Sequence, residues 1–271
     1  MNSPINSFFN SFNISKPYWV SLLIEGISFC FIAFLLTIYT ALVQARTMAI
    51  TGGQSIEQVK ASLLQATPEA AQLFLTNIKI WVVLMLGGSL LVFLFSLFLL
   101  SYAQSAVWHT LLTQKFNWKK LYLRWSGLTI VLLIALLLYL LIYAFIRLLT
   151  NPLAALAGDP GYVIITNIIT GIFMYAFILF IFLTYYSFTQ KQKVWESIGH
   201  AFAIIKSKFS SISIMFLFIL LTGVILSTIL YYLQQKMYWS PALSLGINLI
   251  VFILFYTWMR FYLVQVVHHS S

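Results

Sequence analysis

Six long runs of apolar residues dominate this sequence. They cover residues 18–43, 78–102, 126–149, 162–188, 212–233 and 242–267. Each run exceeds the roughly 20 residues that a helix needs to cross a hydrocarbon core about 30 Å thick. The apolar and polar alternation of a membrane β-barrel is absent, so helices must satisfy the backbone hydrogen bonds. The sequence therefore predicts an all-α fold, a polytopic membrane bundle of six transmembrane helices arranged as three hairpins.

Composition supports the same fold class. Of the 271 residues, 62% are hydrophobic and only 7% are charged. This is too little polar surface to cover a water-soluble protein of this size. Because no soluble domain fits between the apolar runs, we expect residues 1–271 to form a single integral membrane domain.

Basic residues are distributed unequally between the two ends of the predicted helices. With six spans, both termini and the loops after the second and fourth spans lie on one side. That side holds most of the fifteen Lys and Arg residues, namely Lys16, Lys115, Lys119, Lys120, Arg124, Lys191, Lys193, Lys206, Lys208 and Arg260. The other side holds Arg46, Lys60, Lys79, Arg147 and Lys236. Because Lys and Arg in short loops mark the cytoplasmic face, the sequence predicts a multi-pass protein of the cell membrane with both termini in the cytoplasm.

The formal net charge of +10 indicates which partners suit this chain. Nucleic acid is a poor partner, because no basic soluble domain exists to hold it. Anionic lipid is a better one, because each base near a negative leaflet contributes about 1 kcal/mol. We expect a basic collar that contacts lipid headgroups, formed by Lys16, Lys119, Lys120, Arg124, Lys206 and Lys208. A membrane-protein partner or a second copy of the chain is the other kind of partner that the sequence allows.

A short motif precedes the first helix of each predicted hairpin. The sequence reads FNISKPYW at 12–19, FNWKKLYL at 116–123 and FAIIKSKF at 202–209. Around the third copy, apolar residues from Trp195 to Phe209 recur at steps of three and four residues, which indicates one apolar face of a helix. Lysines beside such a face reach lipid phosphates while the aromatic rings enter the membrane. We predict amphipathic cytoplasmic lead-in helices; the alternative is that these segments are only the ends of long membrane helices.

The only long loop on the opposite side, residues 44–77, carries two helix-start signals. Ser55 followed three residues later by Gln58 is a capping-box pattern. Thr67, Pro68 and Glu69 form the second signal, because proline is tolerated at the first position of a helix and an acidic residue favours its N-terminus. We expect a short helix after Ser55 and a restart of helix at Pro68.

Few polar side chains lie inside the predicted spans, and such groups usually face other helices or a cavity. Glu25 in the first span and Arg260 in the last lie at comparable depths, so we predict that they pair. A proton-coupled or cation site at Glu25 is the alternative. Gln104, Asn167 and Asn248 lie nearer the ends of their spans, where interhelical hydrogen bonds are the expected use of an amide side chain.

The sequence lacks the usual groups for catalysis. His109 and His200 lie on separate segments, and Cys30 is the single cysteine. The H-E-x-x-H pattern, a cysteine cluster, a glycine-rich phosphate loop and a G-x-S-x-G elbow are all absent. We therefore expect no enzyme activity, no catalytic residue, no metal site and no cofactor.

Two lead-in segments carry a resemblance to a known group of proteins. AFAIIKSKF, from Ala201 to Phe209, leads directly into a span, and KFNWKKLYL at 115–123 is a fainter counterpart. With six spans covering nearly the whole chain, this layout resembles six-helix prokaryotic membrane proteins related to the glycerophosphodiester-phosphodiesterase membrane domain. The resemblance implies a six-helix fold with amphipathic lead-ins. It implies no hydrolysis, because we find no soluble phosphodiesterase domain here.

The sequence supports two hypotheses about function. The first is a non-enzymatic integral membrane protein that engages anionic lipid or a membrane partner through the basic collar. The alternative is a small permease, channel or lipid-moving protein with a path through the helix bundle. A hydrated cavity reaching Glu25, Gln104 or Asn167 would favour the alternative, whereas a dry, tightly packed interior would count against it.

Overall fold

The computed structural model describes residues 4–13, 15–114, 118–155, 158–237 and 240–269. All regular secondary structure within these ranges is helical. In chain order the helices are α1 (Pro4–Asn10), α2 (Lys16–Thr51), α3 (Ile56–Leu64), α4 (Pro68–Leu111), α5 (Trp118–Ala155), α6 (Gly158–Lys191), α7 (Val194–Ser207), α8 (Phe209–Met237) and α9 (Pro241–His269). Six of them, α2, α4, α5, α6, α8 and α9, are long and apolar enough to cross a membrane. Each predicted span lies within one of these six helices, which confirms the all-α class and makes the chain a multi-pass membrane protein.

Local sequence signals set the bounds of the short helix α3 and the start of α4. The Ser55 Oγ accepts a hydrogen bond from the Gln58 N–H at 3.3 Å, and the Gln58 Oε1 accepts one from the Ser55 N–H at 3.0 Å. This is the predicted capping box, and it satisfies two backbone donors at the start of α3. Pro68 is the first residue of α4, where its missing N–H would have no partner within the helix.

The three lead-in segments differ in structure. The third is the separate helix α7: Gln192, with a φ of +55°, interrupts the helix after α6, and Lys208 separates α7 from α8. The described part of the second begins at Trp118 and forms the first turns of α5, as the alternative expected. In the first copy Lys16 is already the first residue of α2. A separate helix forms only where the backbone has such an interruption on both sides.

The chain divides into two compact units, and the boundaries fall inside α2 and α4. Unit 1 contains the described residues up to Gly26 and those from Ser101 onward, and unit 2 contains Ile27–Leu100. In unit 2 the two long helices form an antiparallel hairpin. Arg46 Nη2 donates to Asn77 Oδ1 at 2.8 Å, and the Tyr39 hydroxyl donates to the Met85 carbonyl at 2.8 Å. A residue further along α2 thus pairs with one earlier along α4, as antiparallel packing requires.

In unit 1 the spans meet at the ends that the sequence assigns to the cytoplasmic side. Trp125, near the start of α5, stacks on Tyr185, near the end of α6, with ring centroids 5.6 Å apart. The Tyr18 ring, near the start of α2, makes an edge contact with the ring of Phe261, toward the end of α9, with centroids 6.1 Å apart. The end of α4 belongs to the same core, where Trp108 is fully buried. Apolar contacts between sequence-distant helices therefore bring these span ends together.

The short helix α1 packs against the same part of unit 1. Phe8 stacks on Phe218 of α8, with ring centroids 4.5 Å apart. Trp258 Nε1 of α9 donates a hydrogen bond at 2.9 Å to Ser11 Oγ, in the turn after α1. The N-terminal segment is thus held by both helices of the last hairpin.

Candidate functional site

Unit 1 contains a buried ion pair between its first and last spans. Glu25 of α2 and Arg260 of α9 are 1% and 0% exposed, and Arg260 Nη1 donates to Glu25 Oε1. Thr257, three residues before Arg260, donates its hydroxyl to Glu25 Oε2 at 2.5 Å. Both carboxylate oxygens therefore have a donor. The structure thus brings together the two charged residues that the sequence suggested as partners.

Aromatic rings surround the rest of the Arg260 guanidinium. Its central carbon lies 4.2 Å from the ring centroid of Tyr256, 4.8 Å from that of Phe182 and 5.8 Å from that of Trp108. Within the described residues, its Nε and Nη2 atoms have no hydrogen-bond partner. Cation–π attraction to these rings compensates part of the cost of burying the charge, and it is strongest away from water. Tyr256 precedes Arg260 by one helical turn, but Trp108 and Phe182 come from α4 and α6.

The interior around this pair is closed to solvent. Gln104 of α4 is 5% exposed, and its Oε1 finds no hydrogen-bond partner in the part of the chain that the structure describes. Glu25 and Arg260 are buried as well, so all three side chains are almost completely shielded from solvent. Asn167 is exposed on α6, and Asn248 of α9 accepts a hydrogen bond from Gln234 of α8 at 3.0 Å. The burial of Glu25 and Gln104 counts against a hydrated path at either side chain.

The members of the basic collar have different surroundings. Lys16, Arg124 and Lys206 are exposed, whereas Lys208 is half-buried. The side chains of Lys119 and Lys120 lie outside the described residues. Lys208 Nζ donates a hydrogen bond at 2.8 Å to the carbonyl of Val267, close to the C-terminal end of α9. Lysine is a suitable partner there, because the last carbonyls of a helix have no partner within it.

Lys208 also lines a polar cavity of about 420 Å³. The cavity lies where the end of α6, the end of α7 and the end of α9 meet. Its polar lining residues are Tyr186, Gln190, His200, Ser207 and Lys208. A volume of this size is within the range of about 300–1,000 Å³ found for ligand pockets. We refer to it as the span-end cavity.

Two basic side chains of the span-end cavity, His200 and Lys208, have lowered pKa values. Partial burial, reinforced by the nearby Lys191 ammonium, lowers the pKa of the His200 imidazole below its usual value. His200 Nδ1 forms a hydrogen bond with Ser187 Oγ of α6 at 3.1 Å. Partial burial also lowers the pKa of Lys208. An anion in the cavity would favour the charged form of both side chains.

Comparison with known proteins supplies no family for this chain. No protein-family model matches it, and no curated protein or solved structure matches it either. Within the described residues, no three His, Cys, Asp or Glu side chains come together as a group able to hold a metal ion. Function must therefore be inferred from the span pattern and from the geometry of unit 1.

Sequence reasoning placed Lys208 in the collar but missed the span-end cavity. A signal for part of it was present, because His200, Ile204 and Ser207 follow one another at helical steps and Lys208 continues the same face. The contributions of Tyr186 and Gln190 had no such signal. They join the cavity because α7 packs back against α6.

Proposed function

We propose that this chain is a non-enzymatic multi-pass protein of the cell membrane that binds anionic lipid at the cytoplasmic ends of its spans. One observation carries the proposal: the span ends that hold most of the basic residues belong to one compact unit and contact one another. Basic side chains gathered at one membrane boundary create a positive surface for a negative leaflet. On this proposal both termini lie in the cytoplasm.

The exposed face of α7 supports contact with lipid. Trp195 and Phe202 of α7 are 76% and 58% exposed, although they belong to the apolar stripe found in the sequence. Phe209 of the same stripe is the first residue of α8 and is 67% exposed. The opposite face of α7, with Ala201 and Ile204, is buried against the protein. Large apolar side chains on the free face suit the membrane interface better than water. The proposal also keeps, as a hypothesis, the relationship to the group of six-helix proteins that the sequence resembles.

The proposal is tested by removing collar charges. Full-length protein carrying Lys16→Gln, Arg124→Gln and Lys206→Gln should retain less phosphatidylglycerol than the wild type in nanodiscs of mixed phosphatidylcholine and phosphatidylglycerol. At about 1 kcal/mol per base, we expect the enrichment of phosphatidylglycerol around the protein to fall by more than about tenfold. Lipid mass spectrometry of the purified particles measures the enrichment.

The matched control removes the same charge from the opposite side. Lys60→Gln, Lys79→Gln and Lys236→Gln alter three exposed lysines outside the basic collar. This variant should lose less phosphatidylglycerol enrichment than the collar variant, because its predicted side carries five basic residues rather than ten. Equal losses in both variants, or no enrichment in the wild type, would refute the proposed function.

A further inference from the structure

Three candidate membrane spans end at or next to the span-end cavity. Gln190 is one residue from the end of the candidate span that closes at Lys191, and Val267 is the last residue of the final one. Lys208 immediately precedes the candidate span that begins at Phe209. Each of these helices is longer than the roughly 20 residues needed to cross the hydrocarbon core, so its ends suit the headgroup layer. On the proposed function, the cavity therefore faces lipid headgroups.

The charges around the span-end cavity favour an anion. None of its described lining residues is acidic. The acidic residue of α7, Glu196, pairs with Lys193 at 2.5 Å and is largely exposed. Lys208 contributes a formal positive charge. The ammonium group of Lys191, at the end of α6, is close enough to repel the charged form of His200. A negative group that entered the cavity would meet positive charge and no acidic lining residue.

The donors in the span-end cavity suit a phosphate group. An ammonium group has three donors, and the described hydrogen bond to Val267 uses one of those of Lys208. The hydroxyl of Tyr186 and the amide of Gln190, both in α6, are further donors in the cavity, whereas the Ser207 hydroxyl already donates to the Ile204 carbonyl at 3.3 Å. A phosphate has several oxygens that accept from different directions, and lysine binds it as a point charge.

We infer that the span-end cavity is a specific site for the phosphate group of an anionic glycerolipid, with Lys208 as its principal cation. This inference rests on the proposed function, since it names the lipid group and the place where one lipid molecule binds. The basic collar attracts the leaflet as a whole. The cavity holds a single headgroup through Lys208, Tyr186 and Gln190. Free phosphate shares the chemistry of the headgroup, so the test must separate the two sources.

The test measures binding of the first lipid molecule to full-length protein in a neutral detergent. Native mass spectrometry during titration with phosphatidylglycerol gives its affinity, and diacylglycerol with the same acyl chains is the phosphate-free comparison. Lys208→Met should weaken phosphatidylglycerol binding by about tenfold, the effect of losing one charge-assisted contact. Binding of diacylglycerol should not change. Lys208→Arg, which keeps the charge, should restore part of the lost affinity.

A control variant is available outside the basic collar. Lys236 is exposed and does not line the cavity. In a neutral micelle there is no charged leaflet, so Lys236→Met should change phosphatidylglycerol affinity by less than about twofold. Ser207→Trp keeps Lys208 and fills the cavity, so it should weaken phosphatidylglycerol binding even if Lys208→Met fails to fold.

Each outcome bears on the inference. Equal losses from Lys236→Met and Lys208→Met, unchanged binding in Ser207→Trp, or a parallel loss of diacylglycerol binding would overturn it. If the collar variant binds less lipid than the wild type but Lys208→Met binds as much, the proposed function stands and the specific site is refuted. If inorganic phosphate displaces phosphatidylglycerol and its own binding depends on Lys208, the phosphate site stands and free phosphate is a second occupant.

Discussion

At the scale of single residues, Arg260 is the most constrained side chain in unit 1. Its charge is neutralised by Glu25, and its flat faces are covered by aromatic rings from three helices. Removing one member of a buried ion pair leaves the other charge buried and uncompensated, which costs far more than the pair itself contributes. The pair therefore connects α2 with α9. Replacing both charged residues with apolar ones should destabilise the protein less than replacing only one of them.

Replacing Glu25 tests whether an unpaired Arg260 charge destabilises the protein. Glu25→Ala should lower the free energy of unfolding by about 3–5 kcal/mol, measured by equilibrium unfolding in mixed detergent and SDS micelles. The double variant Glu25→Leu with Arg260→Met should recover a large part of that loss. Glu196→Ala, in the exposed pair with Lys193, is the control and should cost less than about 1 kcal/mol. A double variant no more stable than Glu25→Ala would contradict the expectation.

At the scale of elements, the packing of each hairpin depends on where small residues lie. In unit 2, a Cβ added to Gly88 of α4 would lie 2.7 Å from Cε2 of Tyr39 in α2. The neighbouring Gly87 has nothing within 4 Å of the same added atom. Gly88 therefore leaves room for the Tyr39 ring and Gly87 does not contact it, although the two glycines look equivalent in the sequence.

This pair of glycines provides a matched test. Gly88→Leu should destabilise the α2–α4 hairpin by about 1–3 kcal/mol relative to Gly87→Leu, because only the former forces Tyr39 out of place. Both substitutions gain the same helix propensity, so their difference isolates the contact. Thermal unfolding in detergent, followed by tryptophan fluorescence, measures it. Equal melting temperatures would show that Tyr39 does not pack on Gly88.

Some helix boundaries could be predicted from the sequence pattern, and others could not. The capping box at Ser55 and the start of α4 at Pro68 follow from neighbouring residues, so the sequence predicted both. The lead-in motifs look alike in sequence, yet Trp118 begins one continuous long helix, whereas Val194–Ser207 is a helix of its own. A residue with positive φ precedes each of these two motifs, Thr113 at +53° and Gln192 at +55°, so the difference depends on the break at Lys208, which the apolar spacing does not encode.

At the scale of the whole molecule, the spans and their basic ends predict an orientation. In a Cys30→Ser background, Ser62→Cys in α3 and Lys206→Cys in α7 place one exposed thiol on each predicted side. A membrane-impermeant maleimide should label the Ser62 variant in intact cells and the Lys206 variant only after permeabilisation, because basic ends face the cytoplasm. The reverse pattern of labelling would refute the orientation.

The sequence alone determined the fold class, the six spans, the helix starts at Ser55 and Pro68 and the partnership of Glu25 with Arg260. These follow from hydrophobic length, local capping chemistry and the depth of a charge within a span, which are all properties of short segments. Only the tertiary structure decided that Trp108 and Phe182 cover Arg260. It also separated Lys206 from Lys208, two residues apart in the same collar. One is exposed, and the other contacts α9 and lines a cavity that α6, α7 and α9 form together. Contacts between helices distant in sequence depend on how whole side chains pack, and no periodicity within a single helix records that.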